Sequence, residues 1–221
     1  FIYETLNISQ NTKIITLFTS STDEYIGYPG LKFIINQTDL IKRAISFFKD
    51  KIEYCLVIRV HPNATESDLT NTDMAALKDS LPPNVKILYP DDKISSYKLI
   101  EVSNANIVFM SSIGIEAAAM GKPVLMCSDI SSFYGHRYSL NLPDADSCEE
   151  YIELLLSEDF SIERIRAAYR HAYFIFFRRC IPFPLVNSYE TYKAKVCYPS
   201  NDLLIPGYDE SLDRVCEAIL N

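Results

Sequence analysis

The 221 residues, 48% of them hydrophobic and 23% charged, suit a folded domain and argue against extended disorder. The net charge of −8 argues against nucleic acid as a partner, because nucleic-acid binding relies on Lys and Arg side chains that neutralise phosphates. No apolar run approaches the ~20 residues that span a bilayer, and residues 1–3 are followed by Glu4 rather than by a signal peptide. We therefore expect a cytoplasmic protein, and the missing initial Met suggests a piece of a longer chain.

The predicted elements alternate between short apolar strands and amphipathic helices. The predicted strands lie at 13–19, 54–60, 85–89, 105–110 and 123–127, and the predicted helices at 37–51, 66–81, 97–102 and 113–120. The strand segments are continuously apolar, which is typical of a parallel sheet covered on both faces. We expect an α/β fold, a Rossmann-like doubly wound parallel sheet, over residues 1–145.

Beyond residue 145 the pattern changes to helices and segments interrupted by proline. Helices are predicted at 148–156, 162–179 and 209–220, and the prolines that break the chain between them are Pro182, Pro184, Pro199 and Pro206. We expect residues 146–221 to form a helical extension that packs on the sheet domain.

The cysteines indicate neither a metal site nor a disulfide framework. None of them stands in CxxC spacing, and Cys55 and Cys127 lie inside apolar runs, where a free thiol behaves as a small hydrophobe. Asp91 and Asp92 follow a proline, which favours a turn over an acidic metal-binding motif. We expect reduced thiols, no metal and no cofactor.

A basic pair follows the second predicted strand. In the run Arg59-Val60-His61-Pro62-Asn63, the side chains of Arg59 and His61 point to the same side, and Pro62 ends the strand. Ligands bind at the carboxyl ends of the strands in an open parallel sheet, so these residues are candidates for binding a phosphate. The alternative is a histidine that only caps backbone groups at the strand end.

A second candidate lies between the fourth predicted strand and the helix at 113–120. Ser111 and Ser112 offer hydroxyl groups beside free backbone N–H groups, where the helix dipole favours an anion. Gly114 would let a ligand approach the first turn, and Glu116 could accept hydrogen bonds from a ribose diol. The alternative is ordinary N-capping by Ser112, with Glu116 complementing the helix dipole.

Both segments end strands of the same predicted sheet, so they could face one cleft and together hold a nucleoside phosphate. Other loops at that edge offer further candidates, namely Ser20, Ser21, Glu24, Lys122, His136 and Arg137. A solvated loop, or for Lys122 a turn before the fifth strand, explains each of these residues equally well.

The two polar segments resemble motifs of a known enzyme family. The run from 57 to 124, with RVHPN and then SSIGIEAAAMGKPVL, resembles the C-terminal donor-binding domain of GT-B glycosyltransferases, above all capsular polysaccharide biosynthesis proteins. His61-Pro62 is similar to the HP motif of bacterial Kdo transferases and sialyltransferases that use CMP-sugars, and Ser111-Ser112 is similar to their paired serine motif. Teichoic acid polymerases that use CDP-glycerol carry a similar pair.

The resemblance implies one half of a GT-B enzyme that transfers a sugar from a CMP- or UDP-linked donor to a glycan or glycolipid acceptor without a metal. It implies that the HP and serine motifs contact the nucleotide. From its position after the fifth predicted strand, Arg137, like His136, is a candidate for contacting donor phosphate or sugar, with a solvated loop as the alternative. The resemblance places the general base in an acceptor-binding N-terminal domain outside this sequence, and it is compatible with work at the inner face of the membrane. Two alternatives stay open: a UDP-sugar 2-epimerase, which needs further acid/base carboxylates in the cleft, and a non-catalytic scaffold domain.

Overall fold

The computed structural model describes residues 1–24, 32–64, 74–77, 80–159, 161–181 and 200–220. These residues belong to two compact units, Phe1–His171 and Ala172–Asn221. No helix within the described ranges is long and apolar enough to cross a bilayer.

The first unit is built on a sheet with the strands β1 Lys13–Phe18, β2 Tyr54–Arg59, β3 Val85–Leu88, β4 Ala105–Val108, β5 Val124–Met126 and β6 Leu140–Asn141. All neighbouring strands are parallel, and their order is β3-β2-β1-β4-β5-β6. This is the strand order of a Rossmann-like doubly wound sheet, in which the direction of winding reverses between β1 and β4. The predicted fold class is confirmed, and every predicted strand is present.

The last strand, β6, was not predicted. Its 2 residues are partly buried and pair with Leu125 and Met126 of β5. A segment of this length is too short to show an apolar pattern, so only the neighbouring strand identifies it.

Helices occupy the connections between the strands. Their bounds are α1 Ile2–Thr5, α2 Gln37–Phe48, α3 Ser96–Val102, α4 Ile113–Ala119, α5 Cys148–Ser157, α6 Ile162–Tyr173 and α7 Glu210–Leu220. The Asn36 side chain caps α2 by accepting a 2.8 Å hydrogen bond from the N–H of Asp39. Of the predicted helix 66–81, residues 74–77 are helical, and most of the remainder lies outside the described residues.

The helix predicted at 162–179 changes its geometry near its end. The α-helix stops at Tyr173, and a π-helical turn follows at Phe174–Arg178. The wider turn is closed by a 2.8 Å hydrogen bond from the N–H of Arg179 to the carbonyl of Phe174. Apolar periodicity does not distinguish the two helix types over so few residues, so the sequence predicted one continuous helix.

Helices pack against both faces of the sheet. Ile15 and Leu17 of β1 belong to the same buried cluster as residues of α2 and α5, among them Leu40 and Ile152. Thr16, which alternates with them, points to the other face and shares a 2.6 Å hydrogen bond with Ser103 directly after α3. The first unit therefore extends past residue 145, where the helical extension was predicted to begin, because the apolar side of α5 completes this core.

The cysteines with described positions are free thiols. Cys55, Cys127 and Cys148 are buried in the first unit, and burial raises the pKa of Cys55 and of Cys148 to about 11. They act as small apolar side chains, as predicted for Cys55 and Cys127. Cys180 and Cys216 of the second unit are exposed, and Cys197 lies outside the described residues.

The second unit has a different character from the first. None of its described side chains is buried, including those of the π-helical turn and α7. Its exposed large apolar side chains include Phe177, Leu204, Tyr208, Ile219 and Leu220. The described part of this unit therefore forms helices without forming a hydrophobic core.

Candidate functional site

A cavity of about 210 Å³ opens at the carboxyl edge of the sheet. Its walls come from the ends of β1, β2 and β4 and from the first residues of α3 and α4. The predicted donor-binding residues that line it are Arg59, His61, Pro62, Ser111, Ser112 and Glu116. The two sequence segments thus meet at one cleft, because both follow strands of one parallel sheet.

The imidazole of His61 is held in one orientation. The backbone N–H of His61 donates to Thr19 Oγ1 at 3.0 Å, and this hydrogen bond links the residues that follow β2 and β1. Its Nδ1 accepts a 3.2 Å hydrogen bond from the N–H of Asn63. In the neutral ring this leaves the proton on Nε2, which lies 3.7 Å from Glu24 Oε1. His61 does cap a backbone group, as the alternative supposed, and it retains a second nitrogen for donation.

The guanidinium of Arg59 is buried beside the cavity. Its Nη1 donates to the carbonyl oxygen of Tyr89, just beyond β3, while its Nε has no hydrogen-bond partner among the described residues. Burial lowers the pKa of Arg59, and the nearby Asp92 and Asp91 oppose that shift. A guanidinium remains charged in proteins, so Arg59 places a cation beside the cavity, while its unpaired Nε is itself buried.

The hydroxyl groups at the start of α4 are arranged differently from a simple N-cap. Ser112 occupies the cap position, but its Oγ donates to Glu116 Oε1 at 3.2 Å and accepts no capping hydrogen bond. Ser111 Oγ accepts from the N–H of Ile113 at 3.3 Å. The N–H groups of Gly114 and Ile115 bond to the carbonyls of Ser111 and Ser112. The N–H groups of the first turn therefore already donate hydrogen bonds inside the turn. At this helix start, the side chains of Ser111 and Ser112 rather than the backbone N–H groups face the cavity.

Glu116 is held by two hydroxyl groups. Tyr97 donates to its Oε2, and Ser112 donates to its Oε1. The hydrogen bond to Glu116, followed by the charge of that carboxylate and by burial, raises the pKa of Tyr97. A carboxylate offers about four lone-pair positions, so the two hydroxyls orient Glu116 without saturating it.

Tyr97 is the residue with a polar role in the cavity that the sequence did not identify; the other unpredicted lining residues are Phe18, Thr19, Ser96 and Ile113. It lines the cavity with 54% of its surface exposed, in the first turn of α3. The helix was predicted, but it carries no polar motif that would link it to the cleft. The available signal was its position, since α3 starts at the same edge of the sheet as the two motifs.

Three predicted binding residues do not line the cavity. Gly114 is buried against β5, where a Cβ atom would lie 2.6 Å from Met126 Sδ, so its missing side chain serves helix–sheet packing. Asn63 is exposed and contributes its backbone N–H to the ring of His61. Arg137 is exposed in the loop after β5 and lies outside the lining of this cavity.

The other loop candidates have mainly structural contacts. Lys122 Nζ donates to the carbonyls of Glu101 and Ser103 at 2.8 and 3.0 Å, which favours the turn interpretation. Ser20 is buried, and its backbone N–H and carbonyl both bond to the side-chain amide of Gln37. Of this group, Glu24 has the clearest relation to the site, through its carboxylate near His61.

The loop after β5 is fixed by aromatic contacts. The rings of His136 and Tyr138 stack with centroids 5.4 Å apart, and His136 lies 3.8 Å from the ring centroid of His171. The Tyr138 hydroxyl donates to the carbonyl of Phe133 and shares a hydrogen bond with His171 Nδ1. These contacts account for His136 and His171 as parts of a packed cluster.

The comparisons with known proteins establish the fold. Neither a scan of family models nor a search of curated sequences finds a match for this chain. Among solved structures, the UDP-GlcNAc 2-epimerase of Methanocaldococcus jannaschii is similar with a TM-score of 0.52 and 12% identity, over 80% of this chain and 49% of the epimerase. A spinosyn rhamnosyltransferase is similar with a TM-score of 0.50 and 16% identity, over 78% of this chain and 43% of the transferase.

Both neighbours support the Rossmann-like α/β architecture derived from the strand order. One neighbour is a glycosyltransferase and the other an epimerase, and at such low identity the similarity is one of fold alone. The chain spans less than half the length of either neighbour.

Proposed function

We propose that this chain is the donor-binding part of a GT-B glycosyltransferase that uses a nucleotide-linked sugar, with CMP as the nucleotide. One observation carries the proposal. A single cavity is lined by Arg59 and His61 from one segment of the chain and by the serine pair and Glu116 from a second, much later segment. Nucleotide-sugar binding requires such a combination, with donors for phosphate and an acceptor for ribose hydroxyls.

The donor groups suit the leaving phosphate of such a reaction. As the bond between the sugar carbon and the phosphate oxygen breaks, negative charge grows on that oxygen. The Nε2–H of His61, the positive charge of Arg59 and the hydroxyl of Ser111 would stabilise this charge, while the hydroxyl of Ser112 stays on Glu116. Their positions are fixed by the strand tips, so little reorganisation is needed when the charge develops.

Glu116 would bind the ribose. Its two oxygens are already oriented by Tyr97 and Ser112, which leaves the remaining lone pairs to accept from the 2′- and 3′-hydroxyl groups. The exposed ring of Tyr97 beside this carboxylate adds an apolar surface to the same end of the cavity.

The remaining parts of the proposal extend beyond this chain. The acceptor is a surface or capsular glycan, or a glycolipid that leads to one. The general base belongs to an acceptor-binding domain, and the reaction takes place on the cytoplasmic side of the membrane. These statements rest on the resemblance of the HP and serine motifs.

Calorimetric titration of the full chain with CMP, UDP, GDP and pyrophosphate tests the binding step. We expect CMP to bind best, His61→Ala to weaken every ligand, and Glu116→Gln to weaken the nucleotides but not pyrophosphate. Ser112→Ala should also weaken the nucleotides, because it removes one of the two hydroxyls that orient Glu116. Ser132→Ala, on an exposed loop residue outside the cavity lining, is its matched control. Absence of binding by any nucleotide at millimolar concentration would contradict the proposal.

A second candidate, sugar-nucleotide epimerisation, is favoured by one observation. It needs an acid/base carboxylate in the cleft, and Glu24 Oε1 lies 3.7 Å from His61 Nε2. Incubation with UDP-N-acetylglucosamine in deuterium oxide distinguishes the two. Deuterium incorporation at the carbon next to the anomeric centre, lost in Glu24→Gln, would favour epimerisation over transfer.

A further inference from the structure

A cluster of aromatic and arginine side chains lies at the start of the second unit. We call residues 173–179 the aromatic–arginine turn; its side chains are Tyr173, Phe174, Ile175, Phe176, Phe177, Arg178 and Arg179. All of these except Ile175 are exposed, and Phe177 has 71% of its surface in water. Adjacent exposed phenylalanines are uncommon on a monomeric surface and indicate an interaction site.

The turn has a defined local structure. The π-helical hydrogen bond closes it, and the rings of Tyr173 and Phe177 stack with centroids 5.7 Å apart and planes 23° apart. These rings pack on each other, and no described side chain of the second unit is buried. The aromatic surface is therefore held in place, and the described residues of this unit form no core that covers it.

Charge identifies the surface that the turn fits. The whole chain carries −8, yet the stretch 164–181 contains no Asp or Glu. Of its basic residues, Arg164 is ion-paired with Glu158, and the others are Arg166, Arg170, Arg178 and Arg179. Within the turn, Arg178 and Arg179 directly follow the exposed rings of Phe176 and Phe177. A concentration of positive charge against the overall charge favours an anionic surface as the partner of this segment.

We propose that the aromatic–arginine turn docks on an anionic lipid surface. Aromatic rings occupy the headgroup level of a bilayer, and adjacent arginines bind the lipid phosphates. A chain of net charge −8 would be repelled by such a surface as a whole, so contact is restricted to the segment that lacks acidic residues. Binding by this turn is independent of the cavity at His61 and extends the proposed function by naming the membrane-binding residues.

Vesicle flotation of the full chain tests this proposal. One vesicle preparation contains phosphatidylcholine alone, and the other contains phosphatidylcholine and phosphatidylglycerol in equal amounts. We expect flotation with the second preparation only, and a loss of flotation as salt is raised. Arg178→Gln and Arg179→Gln should each weaken binding about fivefold, and Phe176→Ser with Phe177→Ser should abolish it.

The matched controls lie in α7. Ile219→Ser with Leu220→Ser removes a pair of apolar side chains that are even more exposed than Phe176 and Phe177, and Arg214→Gln removes an exposed arginine. Both controls should float as the parent does. Circular dichroism melting checks that each variant is folded, which is expected because the substituted side chains are exposed.

Several outcomes would overturn the proposal. These are no flotation with anionic vesicles, equal flotation with both preparations, or the same loss in the α7 controls as in the turn variants. A concentration-dependent dimer in sedimentation that Phe177→Ser disrupts, without vesicle binding, would assign the turn to a second copy of the chain. Nucleotide titration of the same variants separates this test from the proposed function, since a turn variant should bind CMP as the parent does.

Discussion

The cavity beside His61 and the aromatic–arginine turn expose opposite kinds of groups. In the cavity, a buried guanidinium and a histidine held by backbone bonds are polar groups kept partly from water. In the turn, phenylalanines that would normally be buried are held in water beside arginines. Under the two proposals, a ligand of matching chemistry would stabilise each arrangement, namely an anion in the cavity and an amphipathic surface at the turn.

The largest difference that we expect between the two units is in thiol reactivity. Burial raises the pKa of Cys55 from 9.0 to about 11, whereas Cys180 and Cys216 are exposed. A shift of that size lowers the thiolate fraction about 100-fold at neutral pH. In a Cys197→Ser background, iodoacetamide should label only the two thiols of the second unit, as read by peptide mass spectrometry. Rapid labelling of Cys55 under native conditions would contradict the buried core.

The raised pKa of the buried thiols makes the free energy of unfolding depend on pH. The folded-state pKa of the Cys55 and Cys148 thiols is raised, so their contribution to stability is present below pH 9 and is lost as the pH approaches 11. We expect the free energy of unfolding in urea to fall over that interval. Cys55→Ala with Cys148→Ala should flatten the dependence, and an unchanged slope would argue against it.

We expect variants of the two regions to affect different properties, nucleotide affinity in one case and vesicle binding in the other. His61→Ala should lower CMP affinity about 10- to 100-fold, because a charge-assisted hydrogen bond to phosphate is lost. The same variant should leave vesicle flotation unchanged. Phe176→Ser with Phe177→Ser should show the reverse pattern. Joint loss of both properties in either variant would mean that the two regions do not act separately.

Packing at Gly114 should have an effect on stability. Gly114→Ala places a Cβ atom 2.6 Å from Met126 Sδ between α4 and β5, which should destabilise the fold by ~1–3 kcal/mol in urea unfolding. Combining it with Met126→Ala should give less than the sum of the two single effects, since the second change removes the clashing atom. A strictly additive pair would show that the close approach is absent.

The smallest expected effect is at Tyr97. Tyr97→Phe removes one of the two hydroxyls that orient Glu116 and should weaken CMP about two- to fivefold while leaving pyrophosphate unchanged. The raised pKa of Tyr97 means that alkaline ionisation of its phenol, followed by absorbance, occurs above the ordinary range. In Glu116→Gln the ionisation should move to lower pH, because the charged acceptor is gone. Equal weakening of pyrophosphate by Tyr97→Phe would instead indicate a general disturbance of the cavity.

The apolar strands were predictable because a strand that is buried on both faces is apolar at nearly every position. β1 and β2 are apolar nearly throughout, so chain order and strand spacing were sufficient to predict the doubly wound sheet. β6 was missed because two residues carry no pattern. The end of α6 was missed because a π-helical turn needs no particular residue type over five positions.

The candidate site was predictable only as far as its motifs. The strand ends placed Arg59, His61 and the serine pair at one edge, and the cavity lies there. Gly114 was assigned to ligand approach, but its neighbour is Met126. The strand at 123–127 was predicted, whereas the packing of Met126 against α4 is a tertiary contact that no sequence pattern shows. Tyr97 was overlooked because its role depends on Glu116, 19 residues later in the chain.

The sequence by itself determined the alternation of strand and helix, the parallel sheet and the two polar segments at its carboxyl edge, because periodicity and strand-end chemistry are local properties. Only the tertiary structure decided which nitrogen of His61 stays available, that Arg59 keeps an unpaired N–H, and that the phenylalanines after α6 remain exposed. The ring of His61 depends on the backbone conformation at Asn63, Arg59 depends on Tyr89 from another strand end, and the phenylalanines depend on the lack of a core among the described residues of the second unit. None of these features can be read from the residue itself.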